Sequence, residues 1–189
     1  VEASILIPLH PGRIVAMILY MMARKGAVRL LQATPRIRVE VLGKPPTLRY
    51  YERYMLQAIR EDGSLEEEGL RTVLTAVRRN VDDKMAFYSR LETREYYLKK
   101  VEEMWKQVEA TGIPQAQFTK YNENMLWLMI DPKFGEKTSA TIKGPVQLPQ
   151  EDVDFYYYRW LPPIIILPGP MPRPMPGPMP TPGPTPTPR

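Results

Sequence analysis

The stretch SLEEEGLRTVLTAVRRNVDDKMAFYSRLETREYYLKKVEEMWKQVEA, residues 64–110, decides the fold. Ser64-Leu65-Glu66-Glu67 has capping-box spacing, in which the serine hydroxyl accepts from the N3 amide and the glutamate reaches back to the N-cap amide. Glu66, Glu67 and Glu68 also put negative charge at the positive end of the helix dipole. Behind that start, Leu70, Leu74, Val77, Val81, Tyr88, Leu91, Leu98, Val101, Trp105 and Val108 recur at intervals of three, four or seven, as one helical face requires. No proline intervenes before Pro114. Taken as one helix, 65–110 would span on the order of 65 Å; a break near Asn80–Asp83 or Thr93 would divide it. The expected fold class is all-α: a helical bundle with one very long helix, an extended N-terminal arm and a polyproline II C-terminal tail.

Upstream, VEASILIPLH predicts an extended apolar arm over residues 1–11, and Pro11-Gly12 opens a first helix over about 12–32. Its segment IVAMILYMMA (14–23) is apolar on nearly all sides, so it should be buried on several. It has half the roughly 20 residues needed to span a bilayer, and no small-residue cleavage site follows it. The chain opens on Val1, so an initiator methionine or a longer leader is expected to have preceded it. RIRVEVL (36–42) alternates charged and apolar residues, the signature of a short strand or extended linker. After the turn Gly43-Lys44-Pro45-Pro46, Thr47 is a suitable N-cap for a second helix reaching about Glu61. A further helix, about 115–131, stops at Asp131-Pro132. The chain thus divides into an arm (1–11), a helical domain with a basic first half (12–131), a loop and apolar extended strip (132–167), and a tail (168–189). In the strip, FYYYRWLPPIIIL (155–167) is rich in strand-forming residues, but Pro162-Pro163 bars it from the middle of a sheet.

The tail is the most unusual composition in the chain. From Pro168 to Pro188 every even-numbered residue is proline. Proline fixes φ near −65° and has no N–H, and the residue before it is pushed to the extended region, so polyproline II is the expected conformation. At about 3.1 Å per residue the repeat spans roughly 65 Å. It carries no acid, and Met171, Met175 and Met179 recur within it, which suits a segment lying on neighbouring subunits.

Chemistry-bearing patterns are scarce. His10 is the single histidine and there is no cysteine, so Ser-His-Asp and Cys-His systems, multi-histidine metal sites and thiolate-ligated metals are not expected. Neither G-x-x-x-x-G-K-[ST] nor G-x-G-x-x-G occurs. Asp82-Asp83 and the set Glu151, Asp152 and Asp154 lack the surroundings that would distinguish them from solvated caps and loops. No enzyme, metal or cofactor is expected.

Charge is the informative feature. The net +5 conceals a basic first third: residues 1–60 hold ten Lys/Arg against three Asp/Glu, and 61–110 hold nine against twelve. Arg49, Arg53 and Arg60 share one face of the second predicted helix, with Tyr50 and Tyr54 beside them. Guanidinium groups clamp phosphate oxygens bidentately and tyrosine hydroxyls add hydrogen bonds. With so few acids nearby, most of these arginines need a distant carboxylate or a polyanion. No base-reading module is present, so the expected grip is non-specific.

The basic helical region, the long helix, the absence of cysteine and the PTPGPTPTP ending (180–188) together resemble a major capsid protein of a filamentous archaeal virus of the tristromavirus kind. The resemblance is one of organisation over the whole chain, not of motifs. It implies a virion protein that pairs with a second, related capsid protein as a heterodimer and wraps double-stranded DNA, held in A-form, in a helical filament beneath an envelope. The residues expected to meet phosphates are Arg13, Arg24, Lys25, Arg29, Arg36, Arg38, Arg49, Arg53, Arg60, Arg78 and Arg79. The acidic start of the third helix departs from that pattern. Two rivals stand beside it: an accessory structural subunit of a large membrane-associated complex, whose arginines meet acidic proteins or lipid headgroups, and a proline-rich adaptor that displays its tail.

Overall fold

A computed structural model describes residues 1–32, 36–43, 47–142, 146–147 and 166–167. The tail (168–189) and most of the apolar strip lie outside the described residues. The rest is mostly helical: α1 (Pro11–Arg24), α2 (Tyr50–Gln57), α3 (Glu67–Lys84), α4 (Arg90–Glu109), α5 (Pro114–Leu128) and α6 (Phe134–Thr141). To these are added an antiparallel pair, β1 (Val28–Gln32) with β2 (Arg38–Val41), and a two-residue parallel pair, β3 (Val146–Gln147) with β4 (Ile166–Leu167).

The core is organised around α1. Ile14 to Tyr20 and Met22 are all buried, as an all-round apolar helix demands. It packs on α2, α3 and β1, while α4 and α5 pair with one another. Among the described residues, no helix is long and apolar enough to cross a membrane.

Several expectations require correction. Thr47 does not cap α2, whose N-cap is Arg49 and whose last residue is Gln57, short of Glu61. The first helix ends at Arg24 and not near residue 32. Gly26 adopts φ +67°, its amide donates to the Ala23 carbonyl, and the Ala27 amide donates to Met22, which is a Schellman stop. The chain then leaves as β1, and the alternating stretch after it is a strand, as its period predicts. Residues 1–11 are not an extended arm: Glu2–Ile5 is a 3-10 helix packed on α3, and Ser4 and Ile7 are buried. The predicted loop after Asp131 contains α6. Finally, residues 65–110 are two helices, not one.

The break falls at residues 85–89. Ser89 is the N-cap of α4 and its hydroxyl accepts from the Glu92 amide at 3.3 Å. Of the predicted stripe, Val77 and Val81 are buried on α3 and Val101, Trp105 and Val108 on α4; Val73, which lies outside that stripe, is buried as well. Tyr88 and Leu91, at the elbow, face solvent. The Ser64 capping box does not form. The Ser64 hydroxyl donates to Asp62 Oδ1 at 2.6 Å, Ser64 and Leu65 pair with Arg38 and Ile59, and α3 starts two residues later.

The α2–α3 contact is set by a glycine. A Cβ on Gly69 would lie 2.6 Å from Ala58 Cβ and 2.8 Å from Ala58 Cα. Helix propensity alone would favour alanine there by roughly 1 kcal/mol. Overpacking against backbone outweighs that gain, so Gly69→Ala is expected to destabilise by about 1–3 kcal/mol, read as a lower thermal midpoint.

Candidate nucleic-acid interface

The predicted phosphate-binding residues separate into three groups by what surrounds them. In the first, the cation belongs to the fold. Arg13 is half-buried and its Nη1 donates to the Asp131 carbonyl at 2.8 Å. Burial lowers its pKa, and Asp131 opposes the shift. Lys25 lies 2.7 Å from Glu52, whose side chain is fully buried, and also donates to the Thr47 carbonyl. Glu52 accepts from the Arg49 amide at 2.7 Å as well, holding the first turn of α2. These contacts turn the single acid of α2 inward, so the charges that helix presents to solvent are cationic.

In the second group the charge is balanced. Arg29 and Glu40 face each other across β1–β2 and bond at 3.0 Å. Arg38 donates twice to the Asp62 carbonyl, and Arg60 lies 3.6 Å from Glu66. Arg29, Arg38 and Arg60 line one groove of about 740 Å³, but Glu40, Glu61 and Asp62 line it too. Hydrogen bonds from the Ser64 hydroxyl and amide hold the Asp62 carboxyl below its usual range. This groove carries no net positive field.

The third group is exposed. Arg53 on α2, Arg78 and Arg79 on α3, and Arg36 before β2 have no ion-pair partner among the described residues. Arg24 is exposed in the last turn of α1, and Arg49 is exposed with its guanidinium on the Tyr51 phenol at 3.3 Å. Of the two partners expected for these cations, a distant carboxylate or a polyanion, the fold itself supplies one for Lys25 (Glu52), Arg29 (Glu40) and Arg60 (Glu66), while Arg13, Arg38 and Arg49 bond to carbonyls or a phenol.

A groove of about 590 Å³ between α2 and α3 takes in one member of the third group, Arg79. Tyr50 and Tyr54 come from α2, and Arg71, Thr72, Thr75 and Arg79 from successive turns of α3. Glu68 and Asp83 bound it, and Arg71 is already paired with Glu67 at 2.7 Å. The Tyr50 hydroxyl donates to Glu2, which also accepts from Lys84. Burial, then Glu2, pushes the Tyr50 phenol well above its usual range, so it stays a neutral donor. Thr72 and Thr75 were not singled out from sequence; their spacing with Arg79 on one helical face was the available signal.

Large apolar side chains are exposed next to this region. Phe87 is 96% exposed, and Tyr88 and Leu91 project from the same α3–α4 elbow. Comparison with protein-family models, with curated proteins and with solved structures finds no match for this chain.

Proposed function

We propose that this chain is a structural protein that grips the phosphate backbone of double-stranded DNA without reading its sequence, and assembles with like subunits into a helical filament. The observation that carries this reading is the set Arg53, Arg78 and Arg79: exposed guanidiniums on two packed helices, with no ion-pair partner among the described residues. A guanidinium in water costs nothing to leave unpaired, but several on adjacent turns repel one another, and a phosphate ladder relieves that repulsion while releasing its own counterions. Their planar forks suit phosphate oxygens, and the Tyr54 and Thr75 hydroxyls beside Arg79 add donors. The α3–α4 elbow supports the assembly half: Phe87 would be covered by a neighbouring subunit. The heterodimeric partner, the tail lying on neighbours, the A-form duplex, the envelope and the virion setting belong to the same proposal and rest on the resemblance of organisation.

The second reading, an accessory subunit of a membrane-associated complex, is favoured by the same apolar elbow. Binding of the purified chain to random-sequence duplex DNA across a salt series separates the two. The nucleocapsid reading expects log affinity to fall linearly with log salt, with a slope near −3 or steeper if three or more phosphates are neutralised. Binding that is absent at low salt would sink it.

A further inference from the structure

A second surface has the chemistry to hold the proline repeat. On the paired helices α4 and α5, the rings of Tyr96 and Tyr97 meet edge to face at 5.5 Å, and Tyr97 lies at 6.0 Å from Trp127 with 31° between planes. This ladder is open to solvent: Tyr96 is 57% and Trp127 39% exposed. The two phenols and the indole N–H have no hydrogen-bond partner among the described residues. A row of flat rings with donors at their edges is therefore left uncovered beside the elbow.

The tail is complementary in each respect. Proline at every second position removes half of its amide donors while leaving every carbonyl, so it needs donors from its surroundings. Pyrrolidine rings pack on aromatic faces, which is how proline-rich segments are commonly bound. Tyrosine and tryptophan supply both the apolar face and the polar tip. Met171 and Met175 add sulfur, which packs well at ring edges. A tail with no acid also avoids competing for Lys100, whose Nζ sits 5.9 Å from the Tyr96 ring centre.

Length decides whose tail it is. A folded body of this size has a radius of gyration of about 15 Å and a diameter of about 40 Å. The repeat, at roughly 65 Å in polyproline II, is longer than the molecule it springs from. A semi-rigid polyproline II segment of that length is long enough to extend past its own body to a second one. We infer that the proline repeat of one copy lies across the Tyr96–Tyr97–Trp127 ladder of a second copy, tying subunits together. This rests on the assembly half of the function proposed above and not on DNA binding.

The test uses the full chain with Met175 replaced by the photo-reactive benzoylphenylalanine. An equal mixture of nitrogen-14 and nitrogen-15 chains, free of nucleic acid, is irradiated and the cross-links are mapped. The expected products pair unlike isotopes as often as like ones, as random pairing of two copies requires, and join position 175 to residues near 96–100 or 124–128. In a Tyr96→Ser/Trp127→Ser chain whose circular dichroism matches the parent, they fall at least about tenfold; Leu31→Ser, which removes an exposed apolar side chain on β1, leaves them unchanged. Cross-links confined to like isotopes with no unlike pairs, cross-links indifferent to the double substitution, or none at all overturn the inference. None of these outcomes bears on the salt series, so the tail contact and the DNA contact fail separately.

Discussion

Replacing Arg53, Arg78 and Arg79 together by glutamate is expected to weaken binding to random-sequence duplex DNA by about 10² to 10³-fold near 0.1 M salt. Each neutralised phosphate contributes about 0.9 to the salt slope, so losing three contacts should also flatten the slope by nearly 3. All three side chains are exposed and have no ion-pair partner among the described residues, so the thermal midpoint should barely move. Two controls sharpen the result. Arg29→Glu alters a cation already matched by Glu40 and should change affinity far less. Lys25→Ala should lower stability by about 3–5 kcal/mol, because it leaves the Glu52 carboxylate buried with no ion-paired cation among the described residues, held only by the Arg49 amide. Fluorescence anisotropy across a salt series, paired with thermal melts, reads both quantities. Unchanged affinity and slope in the triple variant would remove the α2–α3 surface as the DNA contact, and the membrane-complex reading would take its place if subunit association were lost instead.

Much of the secondary structure was legible, and the failures share a cause. The apolar run of α1 and the periodicity of α3 and α4 follow from local pattern, and each does bury the face it predicts. The helix stops were also present in the sequence. Ser89-Arg90-Leu91-Glu92 has the same capping spacing as Ser64-Leu65-Glu66-Glu67, and it is Ser89 that caps. Ser64 is drawn off by Asp62 and by pairing with Arg38, a competition that only the folded chain reveals. Gly26 after Lys25 is a standard stop signal that the continuing apolar residues masked. Helix α6 had no such signal: it is short and includes glycine and threonines, and it exists because Phe134 and Thr138, four apart, are buried. Phe134 stacks on Tyr121 at 6.2 Å, and the Tyr121 hydroxyl meets Thr138 at 3.2 Å.

The arginine face was less legible for a related reason. Composition shows how many cations the first sixty residues carry, but not which acid each will meet. Lys25 finds Glu52 twenty-seven residues away, and Arg13 finds the Asp131 carbonyl at a separation of 118. Removing these internally satisfied groups leaves a smaller and more exposed set, shifted from α1 and β1 towards α2 and α3. That shift places the candidate DNA surface partly on α3, the helix that leads into the apolar elbow.

Replacing Asp131 by alanine is expected to destabilise the fold by about 3–4 kcal/mol, a fall of roughly 10 °C in thermal midpoint for a chain of this size. Asp131 is nearly buried and is the point where α4, α5 and α6 are tied together. Its carboxylate accepts from Trp105 Nε1 at 2.9 Å, from the Lys133 amide at 2.8 Å, and from Lys137 at 2.7 Å. Alanine would leave the indole N–H, in the core, without a partner; that is the costly part, because Lys137 is exposed enough to be solvated. Asp131→Asn keeps an oxygen for the indole or the amide and loses the ion pair, so it should cost only about 1 kcal/mol. The two causes can be separated with Trp105→Phe, which removes the indole donor while keeping a ring. In that background Asp131→Ala should cost about 1–3 kcal/mol less than in the parent, a coupling that urea unfolding measures directly. Equal costs in both backgrounds would mean that the carboxylate acts through Lys133 and Lys137 alone. The indole bond would then not be what fixes α4 against the turn that follows α5.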